Sequence, residues 1–417
     1  MNKIKTLALT TIISLSSLQG LQAKELKVWA WDPNFNVAAM EEATQRYQVK
    51  HPDFKLKVIA DGKESIEQKL HTMLASGVTS ALPDIVLVED YNAQKFIQAY
   101  PGSFAPMQKT VDYSKFAPYK VEVMTLGENI YGIPFDSGVA GLFYRRDLLA
   151  KAGVKHADLQ NITWDEFIEI GKKVKEVTGK YMLGFDVDNV VMMHIMMQSG
   201  GEWFFTDEGD LNIIGNKALK ETLLTLKRIN DSKIARPVSG WSEFVGTFNS
   251  GDVATVTSGV WMSASVKSVK EQSGLWGVAP IPRLDLPNAI HASNQGGSSW
   301  YVLSTSDNAQ GAIDFLDATF GGDVEFYQKI LVERGAVGTY LPASTGAAYQ
   351  QADAFYDGQK VYGDFAKWIG QIPKAPYGMF TQEADSAVAT QMPALLEGMD
   401  VDKVLEQINN DLKYQIN

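Results

Sequence analysis

From residue 25 onward the apolar positions fall into runs whose spacing switches between strand-like and helix-like. ELKVWAW (25–31) alternates as a half-buried strand does, and Val37, Met40, Ala43 and Tyr47 then recur at helical spacing. That helix is expected to stop before His51-Pro52, because the residue ahead of a proline is pushed out of helical geometry. FKLKVIAD (54–61) alternates again, residues 64–76 read as a helix closed by Gly77, and DIVLVED (84–90) is a continuous apolar run suited to a strand buried on both faces. Strand, helix, strand, helix, strand predicts an α/β unit with right-handed crossovers, in which ligands lie beyond the carboxyl ends of the strands. Three such ends carry aromatic or polar groups: Trp31, Asp32 and Asn34 at the first, Asp61 at the second, Glu89 and Asp90 at the third.

The middle of the chain reads as a second α/β unit. GLFYRRDLLAKAGV (141–154) predicts a strand running into a helix closed by Gly153, and Thr163-Trp-Asp-Glu166 is a capping box with Phe167, Ile170, Val174 and Val177 at helical spacing behind it. Stretches rich in Gly, Pro and Ser interrupt the pattern at 132–141, 235–240 and 293–299. The chain has no internal repeat and no low-complexity segment.

The first 23 residues read as an export leader: Lys3 and Lys5, an apolar stretch from Leu7 to Leu18, and a cleavage site at Leu21-Gln22-Ala23. That stretch is short against the roughly 20 residues of a membrane span, and no later stretch is long or apolar enough to be one. About 394 residues then remain of the 417, too many for one ordinary core, so two domains are expected. Losing Lys3 and Lys5 takes the formal charge from −11 to −13, which argues against nucleic acid or anionic lipid as a partner. The absence of cysteine excludes disulfides, thiolate metal sites and a lipidated N-terminal cysteine, leaving a free periplasmic protein as the expectation. Nine Trp, 16 Tyr and 19 Phe exceed what a core alone calls for and raise the question of what the surplus rings stack on.

KHPDFKLKV (50–58), LPDIVLVEDYNAQKF (82–96), IYGIPFDSGVAGLFYRRDLLAKAGV (130–154), TWDEF (163–167), FNSGDVATVTSGVWM (248–262) and GGSSWYVL (296–303) follow one another through nearly the whole chain. In their order and spacing they resemble the extracellular solute-binding proteins, family 1, the carbohydrate receptors of ABC importers related to maltose-binding protein. The resemblance implies an α/β, two-lobed periplasmic binding protein fold of type II, each lobe a mainly parallel sheet flanked by helices. The lobes would comprise residues 24–134 plus about 301–342, and 135–300 plus about 343–417, with crossovers near Pro134, Trp300 and Pro342. It also implies a mono- to oligosaccharide held in the cleft at the hinge and lobes that close over it. No cofactor or metal is implied. The partners would be the transmembrane subunits of an ABC permease, with a monomer expected because one face must stay free for docking.

A pyranose offers hydroxyls at its edge and C–H groups on its faces, so carboxylates and amides opposite an aromatic ring make a sugar site. By resemblance Trp261 is the stacking ring and Asp90 the carboxylate that takes sugar hydroxyls, the alternatives being a core Trp and a helix N-cap. Asp136 and Ser137 face the cleft from the first crossover, although maltose-type receptors carry their carboxylate slightly later, where this chain has Gly138. Asp188 matches an acidic sugar ligand of those relatives, with Asp186 close by, but the aromatic that follows it there is Val190 here. Trp29 and Trp31 share one strand face, with packing the likelier fate of Trp29. Gly296, Gly297 and Ser298 line the second crossover, where glycine serves close approach or bending. Trp203, Trp241, Arg334, Trp368 and Tyr377 complete the candidates, each with plain packing as its alternative, and a buried Arg334 would need an anionic or sugar partner.

Paired carboxylates among aromatics also describe a glycosidase, which needs them about 5–10 Å apart, but no nucleophile motif accompanies them. A metal receptor is disfavoured by five scattered histidines, none at i, i+4 from another, and by the lack of an adjacent Tyr-Tyr pair. Polyols and glycerophosphodiesters remain as alternative solutes, although the motif loops supply few basic groups for a phosphate.

Overall fold

The structure is a computed structural model that describes residues 25–187 and 191–416; the expected leader (1–23) and Asp188 lie outside these residues. The alternating run forms β1 (Leu26–Ala30), and α1 (Asn36–Gln48) behind it buries Val37, Met40 and Ala43. β2 (Leu56–Ala60), α2 (Lys63–Ser76), β3 (Ile85–Glu89) and α3 (Asp90–Ala99) complete the first alternation, with α2 ending at Gly77. β3 is apolar throughout because both its faces are covered: Ile85 and Leu87 enter one hydrophobic core, Val86 and Val88 the other. A short α4 (Pro118–Val123) and the hairpin of β4 (Thr125–Leu126) and β5 (Asn129–Ile130) lead to β6 (Gly132–Pro134).

The chain then runs out along β7 (Ala140–Arg145) into α5 (Arg146–Lys151) and α6 (Trp164–Thr178). α6 begins on its capping box: Thr163 Oγ1 accepts from the Glu166 amide at 3.2 Å, and the Glu166 carboxylate accepts from the Thr163 amide at 2.7 Å. β8 (Leu183–Phe185), α7 (Val191–Ser199), α8 (Lys217–Asp231), β9 (Ala235–Pro237), α9 (Gly240–Asn249), β10 (Thr255–Gly259), α10 (Met262–Val266) and β11 (Trp276–Ala279) follow. β12 (Ser298–Val302), α11 (Ala309–Thr319) and α12 (Val324–Arg334) return to the core of the first sheet. α13 (Val361–Ile369) then packs behind β7, while α14 (Thr381–Leu396) and α15 (Val401–Ile416) pack on each other and on α8.

The first sheet has the order β2-β1-β3-β12-β6, with β2, β1 and β3 parallel and β12 antiparallel to both its neighbours. Parallel pairing does not carry over to the second sheet, β10-β7-β11, whose pairs are all antiparallel. β7 leaves the centre of the molecule, and β10 and β11 must bring the chain back to it. A parallel two-stranded piece, β8 with β9, flanks this sheet. Among the described residues no helix is long and apolar enough to cross a membrane.

Three extended ribbons, residues 135–139, 293–297 and 336–340, join the two sheets side by side. The first lies in the middle: the Ser137 amide donates to Val337 O at 2.8 Å and the Thr339 amide to Phe135 O at 3.2 Å, while the Gln295 amide donates to Gly138 O at 2.7 Å. Gly138 is where the ribbons come closest, since a Cβ there would sit 1.9 Å from Gln295 O. No side chain fits at this position. Because the obstacle is backbone, Gly138→Ala is expected to destabilise the protein by about 3 kcal/mol, the upper part of the overpacking range. A urea midpoint equal to that of the parent would contradict this packing.

Candidate functional site

A cavity of about 830 Å³ opens where the carboxyl ends of β1 and β3 meet those of β8 and β10, with the ribbons as its floor. That is within the span of small-molecule sites. From the first sheet it is lined by Trp31, Asp32, Asn34 and Glu89; from across it by Asp186 after β8, Trp241 on α9 and Trp261 after β10; from the ribbons by Asp136, Gly297 and Ser298; and by Arg334 at the end of α12. Strand ends widely separated in sequence thus meet in one place, as the ligand rule for such sheets requires.

The loop after β1 is shaped by a residue that carries no chemistry of its own. Asn36, 1 % exposed, turns its side-chain oxygen back to accept from the Trp31 and Asp32 amides, both at 3.1 Å, while Asp32 Oδ1 accepts from the Asn34 amide at 2.8 Å. The strand end is therefore a closed turn that presents Trp31 half-buried and Asp32 and Asn34 exposed. At the end of β3, Glu89 pairs with Lys63 at 2.8 Å, putting an acceptor and a donor together on the cavity wall.

Across the ribbons, Trp261 precedes α10 and is fastened by Gln295. The indole Nε1 donates to Gln295 O at 2.9 Å, and Gln295 Oε1 accepts from the Gly259 amide at 2.9 Å. With its N–H engaged, the ring has only its face to offer. Trp241, on the first turn of α9, lies 5.9 Å from Trp261 between ring centroids and 6.0 Å from Phe244. Asp186 accepts from the Gly240 amide at 2.8 Å, anchoring the start of that helix at the cavity edge. Asp136, in the middle ribbon, accepts from the Ser298 amide at 2.8 Å and the Ser298 hydroxyl at 2.6 Å, so its carboxylate ties two ribbons together at the floor. Arg334, at the end of α12, is exposed at the cavity rim.

Several expected residues stand elsewhere. Asp61 ends β2, the outermost strand, and lies in a separate groove with Lys27, Lys57 and Lys69; hydrogen bonding from Lys69 holds its carboxyl down to about 2. Asp90 is fully buried beneath Gly297, which has φ 89° and would press a Cβ to 3.0 Å from Asp90 Oδ2. Its two carboxylate oxygens each accept from the Lys120 ammonium at 2.7 Å, and Lys120 also donates to Asp136 O at 2.8 Å. Ser137 is buried against the Tyr119 hydroxyl at 2.7 Å. Trp203 is 1 % exposed, its Nε1 donating to Thr381 at 3.1 Å, and Tyr377 is equally enclosed; both pack under Tyr91, which does reach the cavity. Trp368 packs on Phe365 in α13.

Sequence reasoning passed over Asn36, Lys63, Lys120 and Gln295. Lys120 left a trace, a lone lysine among the apolar Tyr119, Val121 and Val123 of a short helix. Gln295 left none, because its role exists only once β10 and the second ribbon are adjacent. Among the described residues no group of three or more His, Asp or Glu side chains gathers closely enough to hold a metal ion.

The family model described as bacterial extracellular solute-binding protein matches residues 42–361. A lactose-binding protein of Rhizobium radiobacter is 51 % identical over 409 residues, covering 98 % of this chain and 97 % of that protein. Among solved structures, the sugar-binding protein MalE from the phytopathogen Xanthomonas citri superposes with a TM-score of 0.78 at 18 % identity, covering 94 % of this chain and 96 % of its own. The galacto-N-biose-/lacto-N-biose I-binding protein of Bifidobacterium longum, in complex with lacto-N-biose, gives 0.74 at 20 % identity, covering 95 % and 97 %. These two likenesses establish the fold, that of two-lobed type II periplasmic binding proteins.

Burial pushes the Asp90 carboxyl up to about 7, against the pull of Lys120. A carboxyl whose pKa is higher folded than unfolded contributes stability below about pH 4 and loses it as pH rises through about 7. Lys120→Met strands that carboxylate in the interior, so the expected cost is about 3–5 kcal/mol at pH 8. At pH 5 the cost should be distinctly smaller, since Asp90 can then be carried as the neutral acid. Urea unfolding at the two pH values measures both, and equal costs would contradict the assignment.

Proposed function

The chain belongs to the bacterial extracellular solute-binding proteins, and from that premise we propose that it is the sugar-binding receptor of an ABC importer, with a lactose-like galactoside as its ligand. Members of this family bind and deliver without chemistry, so the carboxylates of the cavity are read as hydrogen-bond partners and not as an acid–base pair. The observation that carries the reading is the composition of the cavity. Tryptophan faces, Trp31 on one side and Trp261 with Trp241 on the other, stand among carboxylates and amides, of which Asp32 and Asn34 are exposed, at the junction of two sheets. That is the pairing a pyranose needs, a dry face and a polar edge. The galactoside in particular rests on the likeness to the lactose-binding protein, which extends over nearly the whole of both chains.

In this reading Trp261 stacks on the sugar, Asp32, Asn34, Glu89, Lys63 and Asp186 take its hydroxyls, and Asp136 with Ser298 holds the floor that the ligand rests on. Asp188, two positions after Asp186 in the sequence, remains a candidate ligand. We place one lobe at residues 24–134 with about 298–340 and the other at 135–297 with about 341–417, the three ribbons forming the hinge between them. Sugar that touches both lobes favours the closed form over the open one, and the permease senses that difference. Residues 1–23 serve as the cleaved leader of a secreted, unlipidated monomer.

The charges of the cavity favour a neutral ligand over a phosphodiester. Lys63 is paired with Glu89 and Lys267 with Asp353, both at 2.8 Å, which leaves the exposed Arg334 without company for a phosphate.

Ligand at a thousand times Kd stabilises the folded state by about 4 kcal/mol, enough to raise the melting temperature by several degrees. Lactose is expected to produce such a rise, Trp261→Ala to abolish it, and glycerol 3-phosphate and divalent cations to produce none. A rise with the phosphate ester and none with any sugar would overturn the ligand assignment and leave the fold untouched.

A further inference from the structure

β1 and β2 run parallel and place Lys27 beside Lys57 and, one step on along the same face, Trp29 beside Ile59. The opposite face is covered: Leu26, Val28 and Ala30 enter a core that also holds Val37, Met40 and Ala43 of α1. On the lysine face α2 covers only the far end, where Ile66 and Leu70 share a core with Trp29. Short of that helix the sheet is bare, and a groove of about 500 Å³ lies along it, lined by Lys27, Trp29, Lys57, Ile59, Ser80 and Ala81 among others. A parallel sheet is ordinarily covered on both faces, so an uncovered stretch with a partly apolar floor marks a contact surface.

The charges along this face do not cancel. Lys69 is taken by Asp61, which also accepts from the Ser65 hydroxyl and the Gly62 amide, both at 2.8 Å. Asp84 is engaged by the Lys27 amide at 2.8 Å and by the Ser306 hydroxyl at 2.5 Å. Among the described residues the ammonium groups of Lys27, Lys55 and Lys57 have no ion-pair partner, and the acid left over on the rim is Glu25. Neighbouring strands stand about 4.8 Å apart, so two lysines side by side repel. Lysine on an outermost strand keeps other chains from pairing with it, which accounts for Lys55 and Lys57. It does not account for Lys27, because β1 already has β2 on that edge.

We propose that this face is a docking site for an extended acidic segment of a partner protein, one that carries two acidic residues and then an aliphatic residue at alternate positions. The face sets that order, since exposed Lys55, then Lys57 with Lys27, then Ile59 with Trp29 follow one another at two-residue steps. One side of an extended peptide presents its own side chains at the same step. The acids meet the lysines and relieve their repulsion, while the aliphatic residue covers Ile59, which is 39 % exposed. The chain as a whole carries 49 Asp and Glu against 38 Lys and Arg, which opposes an anionic membrane. A single segment meets only the lysine face and escapes that opposition.

The test is titration of the full protein with the peptide Glu-Ser-Glu-Ser-Leu, blocked at both ends, followed by NMR through the methyl groups of Ile59 and Ile66. A saturable shift of both is expected, and it should weaken as salt is added. In Lys27→Gln/Lys57→Gln the affinity is expected to fall at least fivefold, and a peptide with lysine in place of both glutamates should not bind. A melting temperature of the double variant at or above that of the parent separates lost contact from lost structure. Lactose affinity should stay within twofold in that variant, because neither lysine lines the cavity between the sheets. No saturable shift, or an equal affinity in the double variant, would overturn the docking site. Binding to phosphatidylglycerol vesicles, lost in the double variant and without any response to the peptide, would overturn the protein partner in favour of a membrane.

Discussion

The Lys120 ammonium, fully enclosed, is shared between both oxygens of the Asp90 carboxylate and the carbonyl of Asp136. Taking two charges out of water is expensive, and their attraction offsets that expense only where the geometry is good and every polar atom is met. Three contacts at 2.7–2.8 Å meet the condition, and they tie together a short helix, the start of α3 and the middle ribbon, directly beneath Gly297. A displacement of the ribbon at this point would leave a charge unpaired in the interior. The ribbon ends nearest the first sheet are therefore held.

On the other side Gln295 plays the corresponding part with neutral groups, joining the second ribbon to the end of β10 and to the indole of Trp261. Both fastenings follow one rule. The polar atoms that could compete for a ligand from below are turned into structure, as with the Trp261 N–H and one oxygen of Asp136. What faces the cavity is ring faces and carboxylates already oriented by their neighbours, Glu89 by Lys63 and Asp186 by the Gly240 amide.

What could be read in advance was what depends on neighbours in sequence. Alternation located β1, the proline after His51 bounded α1, and the Thr163–Glu166 pair fixed the start of α6, because each is settled within one turn of chain. Trp31, Asp32 and Glu89 were legible for the same reason, as residues at the ends of recognisable strands. Asp61 was not, since the order of strands in a sheet is a tertiary fact and β2 falls at its edge. Asp90 had the right position and the wrong orientation: the carboxylate turns inward to a lysine thirty residues away. Trp203 and Tyr377 have rings suited to a sugar, but both are enclosed in the aromatic cluster under Tyr91.

The order β2-β1-β3-β12-β6 bears also on when this chain can become a protein. β12 is the bridge between β3 and β6, and it emerges after all of β7 to β11. Until residue 302 has been synthesised, β3 has one bare edge and β6 has no partner in the sheet, so the first sheet cannot finish folding ahead of the second. Completion waits on a contact spanning more than 200 residues between β3 and β12, the kind of non-local pairing that slows folding. A chain wired this way spends its synthesis without a finished amino-terminal half, which keeps it threadable for as long as it is still being made.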